Sequence, residues 1–322
     1  MPSRFSAALL AAAAAAFAAG ALAQAAYPDR PIKIIAPVQP GGGVDLVAHQ
    51  VGDRLSRVLG QPVVIENQSG GGGVVGSLAT ARAAPNGYTL MVGYVGTHGT
   101  NPAVRKLPYD ASKDFTAIAM VGGTPNVLVV PPSLPVKTLP EFIAYAKKAN
   151  PPLAFASGGV GSQHFFAMAQ LKQRGGFNVL DVTYRGGSPA MQATITGETQ
   201  VLFAGGESAG QFKAGTLRAL AMSGKERSKA MPDVPTIGET YPGYAVDIWL
   251  GLFAPAGTPQ PIIDKLRTIV QAELKKPEVA AKVNVSGSLM PLILSPDEFA
   301  ARIKNDDEKF GKLAKELNVH IQ

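Results

Sequence analysis

The sequence predicts an α/β protein of two units with a cleft between them. Three observations carry this. Short apolar runs alternate with amphipathic ones, Gly, Pro or Asn marks each switch, and a proline-rich stretch (Thr124-Pro125, Pro131-Pro132, Pro135, Pro140) divides the alternation into two series. Such alternation implies parallel strands covered by helices, and a cleft between two units is a natural ligand site.

In the first series, Ile32–Ala36 reads as a strand, Val44–Leu59 as a helix, Val63–Ile65 as a strand, Val74–Ala84 as a helix and Thr89–Tyr94 as a strand. Beyond the prolines, Glu141–Ala149 reads as a helix and Leu153–Ala156 as a strand. His164–Arg174 is the next helix, followed by a strand at Val182–Tyr184, a helix at Pro189–Thr196 and strands at Val201–Ala204 and Leu217–Met222. The tail carries helices at Pro261–Lys275 and Pro296–Leu317, the second with Ser295 as its cap and Pro296 at its first position. No internal repeat is visible.

The amino terminus stands apart from the fold. Arg4 is followed by an Ala, Leu and Phe run from Ala7 to about Ala19. Gly20 breaks the run, and Ala21 and Ala23 occupy the two small-residue positions of a signal-peptidase site. The stretch is short for a membrane anchor and no basic cluster follows it. A lone Arg favours the general export route over the twin-arginine one. Residues 1–23 therefore read as a signal peptide and the mature protein as periplasmic. The chain has no Cys, so its stability rests on core burial and it carries no lipid-modified Cys.

The net charge of +7 is scattered, with only short runs such as Lys147-Lys148 and Lys275-Lys276. Nucleic-acid binding calls for a basic face or stripe, which is missing. A mild positive charge suits small anions.

Two glycine loops stand at strand-to-helix switches, Pro40-Gly41-Gly42-Gly43 and Ser69-Gly70-Gly71-Gly72-Gly73. Glycine lets the backbone approach a ligand, and free N–H groups at a helix start favour an anion. Each loop taken alone is also readable as a tight turn.

Three enzyme motifs fail on their context. Gly71-x-Gly73-x-x-Gly76 matches a dinucleotide fingerprint, but no acid stands near the end of the next strand, and Ser77 replaces the Lys of a phosphate loop. Gly206-Glu207-Ser208-Ala209-Gly210 matches a nucleophile elbow, but the only later His is His320. His49, His98, His164 and His320 show no ligand spacing, so no metal or other cofactor is expected.

Several segments together carry a resemblance: Tyr27-Pro28-Asp29-Arg30-Pro31-Ile32, Pro37 through Asp45, Val64-Ile65-Glu66-Asn67, Ala84 through Leu90, Gly158 through His164, Tyr184 through Ala190, Pro232 through Thr236, and Trp249 through Pro255. In their order and spacing the chain is similar to the periplasmic solute-binding proteins of tripartite tricarboxylate transporters, also called Bordetella uptake proteins. The resemblance implies a two-lobed periplasmic-binding-protein type II fold, each lobe a mainly parallel sheet flanked by helices. It divides the chain into residues 24–121 plus 225–322 and residues 122–224.

It further implies that one carboxylate of a small organic anion meets the first lobe at Val38, Gly41, Gly42 and Gly43, with Asp45 organising the loop. Thr97, His98, Gly99, Thr100 and Asn101 would add polar groups, of which Thr97 and His98 are the expected ligand contacts. Ser157, Ser162, His164, Arg185 and Gly186 would come from the second lobe. Arg185 can grip a carboxylate with two bonds. The implied partners are membrane transporter subunits, with a monomeric receptor and no nucleic acid. Three departures stand out: His49 where similar proteins usually have Arg, Thr199-Gln200 in place of a hydrophobic-Asp pair, and Ala204-Gly205-Gly206 where an Asp is common. The last argues against amino-acid ligands. A sensor that presents its ligand to a signalling receptor, and a serine hydrolase using Ser208, are the alternative readings.

Amino-terminal sequencing of periplasmic material is expected to give a mature chain that begins at Gln24. An intact Met1 on a membrane-bound mature protein would overturn the signal-peptide reading.

Overall fold

The computed structural model describes residues 27–205, 208–228, 231–279 and 292–319. The expected signal peptide, the Gly206-Glu207 pair and His320 lie outside the described residues.

Strands β1 (Ile32–Ala36), β2 (Val63–Asn67) and β3 (Thr89–Tyr94) run parallel, and helices α1 (Gly43–Leu59) and α2 (Val74–Ala81) connect them. β1 buries Ile32, Ile34 and Ile35, while its exposed Lys33 forms an ion pair with Glu66 on β2. α1 buries Val47, Ala48, Val51 and Leu55 on one stripe and ends where Gly60 turns left-handed. A wide π-type turn at Gly96–Thr100 leads into the short helix α3 (Asn101–Val104). β4 (Phe115–Pro125) closes the sheet on the far side of β10 (Asp247–Pro255), giving the order β2-β1-β3-β10-β4.

The second sheet follows the same plan. It comprises β5 (Val127–Val130), β6 (Leu153–Ser157), β7 (Val179–Thr183), β8 (Val201–Ala204) and β9 (Arg218–Met222), in the order β7-β6-β8-β5-β9. Helices α4 (Leu139–Lys148), α5 (Gln163–Gly175), α6 (Gly187–Thr196) and α7 (Ala209–Ala214) accompany it. Three more, α8 (Ile237–Thr240), α9 (Gln260–Leu274) and α10 (Pro296–Glu316), complete the chain.

Each sheet is mixed. β10 is antiparallel to β3 and β4, and β5 is antiparallel to β8 and β9. The reason is connectivity. The chain crosses between sheets from β4 to β5 and again between β9 and β10, and each arriving strand inserts in the fourth position against its neighbours' direction. The crossings are tied together. Asn126 N–H donates to Ser223 Oγ (2.9 Å), Ser223 N–H donates to the Asn126 carbonyl (2.7 Å), and Ser223 Oγ donates to the Val246 carbonyl (2.6 Å).

α10 starts with a complete capping box, in which Ser295 Oγ accepts the Glu298 N–H and Glu298 accepts the Ser295 N–H. Its inner face anchors the fully buried Trp249 of β10: the indole N–H donates to Asp306 Oδ2 at 2.6 Å, which also accepts Arg302 Nε at 2.9 Å. Farther along, Phe310 packs on Phe166 of α5 with ring centroids 5.3 Å apart, so α10 touches both halves of the molecule. Among the described residues no helix is long and apolar enough to cross a membrane.

Replacing Asp306 by Ala would strand a buried indole N–H and leave Arg302 without its acid. Asp306→Ala is expected to cost about 2–4 kcal/mol of stability, read as a lower denaturant midpoint at unchanged slope.

Candidate functional site

A cleft of about 630 Å³ opens at the ends of the parallel strands of both sheets. The residues that frame it are held by local chemistry, beginning with the loop between β1 and α1. Gly41 has φ +87°, a conformation that L side chains rarely adopt, and its N–H donates to Asp45 Oδ2 at 2.8 Å. Asp45 Oδ1 accepts Asn67 Nδ2 at 2.7 Å, and the same amide reaches the Val38 carbonyl at 3.3 Å. Asp45 thus locks the loop from the first turn of the helix that the loop begins. Gly42 caps α1 in an extended conformation, with room for a β-carbon: the nearest atom that one would meet is 3.9 Å away.

The loop before α2 is unusual in having four successive glycines, Gly70 to Gly73, all at positive φ. Side chains engage two of their carbonyls. Gly72 accepts Asn101 Nδ2 (2.9 Å) and the Tyr94 hydroxyl (3.1 Å), and Gly71 accepts Arg105 Nη1 (3.0 Å).

In the second half, Ser157 Oγ accepts the Gly159 N–H (2.9 Å) and Ser162 Oγ caps α5 by accepting the Phe165 N–H (3.2 Å). A hydroxyl that accepts still has its proton to donate. Gly186 caps α6 at φ +135°. Arg185 is exposed at the cleft and forms no ion pair or hydrogen bond among the described residues. Burial pushes the His164 imidazole down to about 4, so at neutral pH it is an uncharged hydrogen-bonding group.

The starts of α1, α2, α5 and α6 therefore all meet the cleft. Each brings first-turn N–H groups without intrahelical acceptors and the positive end of a helix dipole. Arg105 and Arg185 line the same space, and none of the described lining residues is Asp or Glu. Val38, Val44, Val160, Leu202, Ile248 and Leu250 give it apolar walls. Chemically the arrangement suits an anion with a carbon skeleton. Among the described residues no cluster of His, Cys, Asp and Glu could hold a metal ion.

Of the residues expected from sequence, Val38, Gly42, Gly43, Ser157, Ser162, His164, Arg185 and Gly186 line the cleft. Gly41 and Asp45 stand directly behind it. Thr97 and His98 do not reach it, which corrects the expectation for that loop. Thr97 Oγ1 bonds back to Tyr94 N and O, and His98 is 1% exposed and stacks on Phe253 with centroids 4.0 Å apart. The π-type turn aims these two inward and delivers Thr100 and Asn101 to the cleft instead. Burial pushes His98 down to about 3, consistent with a neutral core residue.

Tyr94, Arg105, Ile248 and Leu250 are lining residues that sequence reasoning missed. For Arg105 a signal existed, since it lies four residues after Asn101, one helical turn on. Ser208 does not have the posture of a nucleophile elbow: it is 1% exposed and its hydroxyl meets Met191 Sδ at 3.3 Å. Gly76 of the fingerprint-like run serves packing, because a β-carbon there would come within 2.9 Å of Pro37.

The comparisons with known proteins agree with one another. A solved structure of the periplasmic binding protein BugD is 30% identical, with a TM-score of 0.84, covering 92% of this chain and 100% of its own. The R. palustris protein Rpa4515, solved with adipate, is 30% identical with a TM-score of 0.88, covering 91% of this chain and 99% of its own. MatC from Rhodopseudomonas palustris, solved with bound malate, is 33% identical with a TM-score of 0.82, covering 89% of this chain and 99% of its own. Residues 47–319 match the sequence pattern of the tripartite tricarboxylate transporter family receptors. With the two-lobed fold in place, the chain belongs to that receptor family.

Proposed function

We propose that this protein is an exported, monomeric receptor that captures a small organic carboxylate in the cleft and delivers it to a membrane transporter of the tripartite tricarboxylate type, without catalysing a reaction. The observation that carries the reading is the convergence of four helix starts and two arginines on a cleft whose described lining has no carboxylate. Family membership supports delivery to a transporter, and the adipate and malate held by two similar structures make those acids the first probes. Residues 24–121 with 225–322 would form one lobe and residues 122–224 the other, a division that sheet membership supports in outline but moves at its first boundary, since β4 stays with the first sheet as far as Pro125. Within the cleft, Val38, Gly42 and Gly43 would hold one carboxylate through the backbone at the start of α1. Ser157, Ser162, His164, Arg185 and Gly186 would recognise the rest of the ligand.

Ser208→Ala is expected to leave ligand affinity nearly unchanged, and neither form is expected to hydrolyse a nitrophenyl ester. Turnover by the wild type that disappears in Ser208→Ala would restore the hydrolase reading.

Gly42 tests the anion site. A β-carbon fits there, so Gly42→Ala separates shape from charge. Gly42→Asp sets a carboxylate at the mouth of the site, and two unit charges about 4 Å apart at an effective dielectric near 20 repel by roughly 4 kcal/mol. Relaxation reduces this, and about 2.7 kcal/mol remains a hundredfold in affinity. Calorimetry with a panel of carboxylates beginning with adipate and malate is expected to show at least that loss for Gly42→Asp and little for Gly42→Ala, with both variants folded by circular dichroism. Equal carboxylate affinity in a folded Gly42→Asp protein would mean that this loop is only a turn.

A further inference from the structure

One side chain of the cleft wall spans from one sheet's loops to the other's. Arg105 follows α3. Its Nη1 donates to the Gly71 carbonyl at 3.0 Å, and its Nη2 donates to the Val160 carbonyl, in the loop between β6 and α5, at 3.4 Å. No described carboxylate forms an ion pair with it, and its buried Nε has no partner among the described residues. A guanidinium is a planar fork of five donors, so one side chain can serve two carbonyls at once. Not committed to an acid, Arg105 spends its charge on neutral main-chain oxygens, where a charged donor makes the stronger bond. A second bond crosses in the opposite sense: Ser188 Oγ, at the start of α6, donates to the Gly41 carbonyl at 3.2 Å.

We propose that Arg105 is a positioning residue that both fixes the Gly70–Gly73 loop and latches it to the Val160 loop across the cleft. Ordering the first-lobe loop and holding the cleft closed are then one event. When the lobes part, the bond to Val160 breaks while the bond to Gly71 stays within its own lobe. Arg105 therefore favours the closed arrangement by the net worth of one long, exposed hydrogen bond from a charged donor, and Ser188 adds a neutral one. This rests on geometry alone and holds whatever anion the cleft takes.

The absence of Cys makes the test direct, because two introduced cysteines are the only labelling sites. Val64 on β2 and Leu180 on β7 occupy outer strands of the two sheets and are 55% and 62% exposed. Spin labels at Val64→Cys and Leu180→Cys, in the ligand-free full mature chain, report the separation of the lobes by pulsed dipolar spectroscopy. The unaltered cleft is expected to show a short-distance population. Arg105→Met is expected to lower the ratio of short to long distances roughly threefold, the scale of losing one exposed hydrogen bond from a charged donor. Arg105→Lys is expected to restore part of it, Ser188→Ala to change it less, and all three to melt close to the parent. Arg105→Gln replaces Arg105→Met should the latter fail to fold. A distribution unmoved by Arg105→Met or Arg105→Gln overturns the proposal. So does a parent protein without the short-distance population, and so does a lowered melting temperature with no shift in distance.

Discussion

The Asp45 carboxylate holds the first-lobe end of the cleft together. It is 4% exposed, yet one oxygen takes the Gly41 N–H and the other the Asn67 amide. A buried carboxylate is tolerable only when so satisfied. With those bonds made, the loop after β1 cannot swing and α1 has a fixed start, and Asn67 ties the end of β2 to Val38. The negative charge of Asp45 stays behind the loop, while the helix start that it organises faces the cleft. One acid thereby shapes the cleft wall without lining it.

The two sheets repeat one plan because each accepts a strand from the other's side. The crossings between them, at Asn126 and Ser223, are tied to each other by hydrogen bonds. α10 bridges the two halves, holding Trp249 of the first sheet through Asp306 and packing Phe310 on Phe166 of α5.

Much of this was legible in the residues. β1, β3 and β8 appear where their apolar runs stand, and Ser295 with Pro296 marks the start of α10 correctly. β4, β5 and β10 were harder. β4 runs into Thr124-Pro125, the start of the proline-rich stretch that divides the two series in the sequence. It is nonetheless an edge strand, where a missing N–H costs little. β10 is buried along nearly its whole length, so it has no polar alternation to announce it. For the site, the glycine loops announced themselves through composition, whereas the inward turn of His98 depends on a π-type turn that no local pattern specifies. Long side chains such as Arg105 are harder still, since their targets lie 34 and 55 residues away in the chain.

The run Gly70–Gly73 has a consequence for how such a receptor changes its taste. Main-chain groups are the same whatever the residue, and left-handed backbone at four successive positions admits almost no replacement. Substitution there can break the loop but cannot retune it. The opposite wall is different: Thr183, Arg185 and Leu202 face the cleft with side chains, and Gly205 beside them has none. Inherited variation therefore has one productive place to act. A lineage of such receptors can keep the left-handed glycine loop unaltered while the side chains of the far wall change, and an engineer reshaping the cleft would vary that wall and leave the glycines alone.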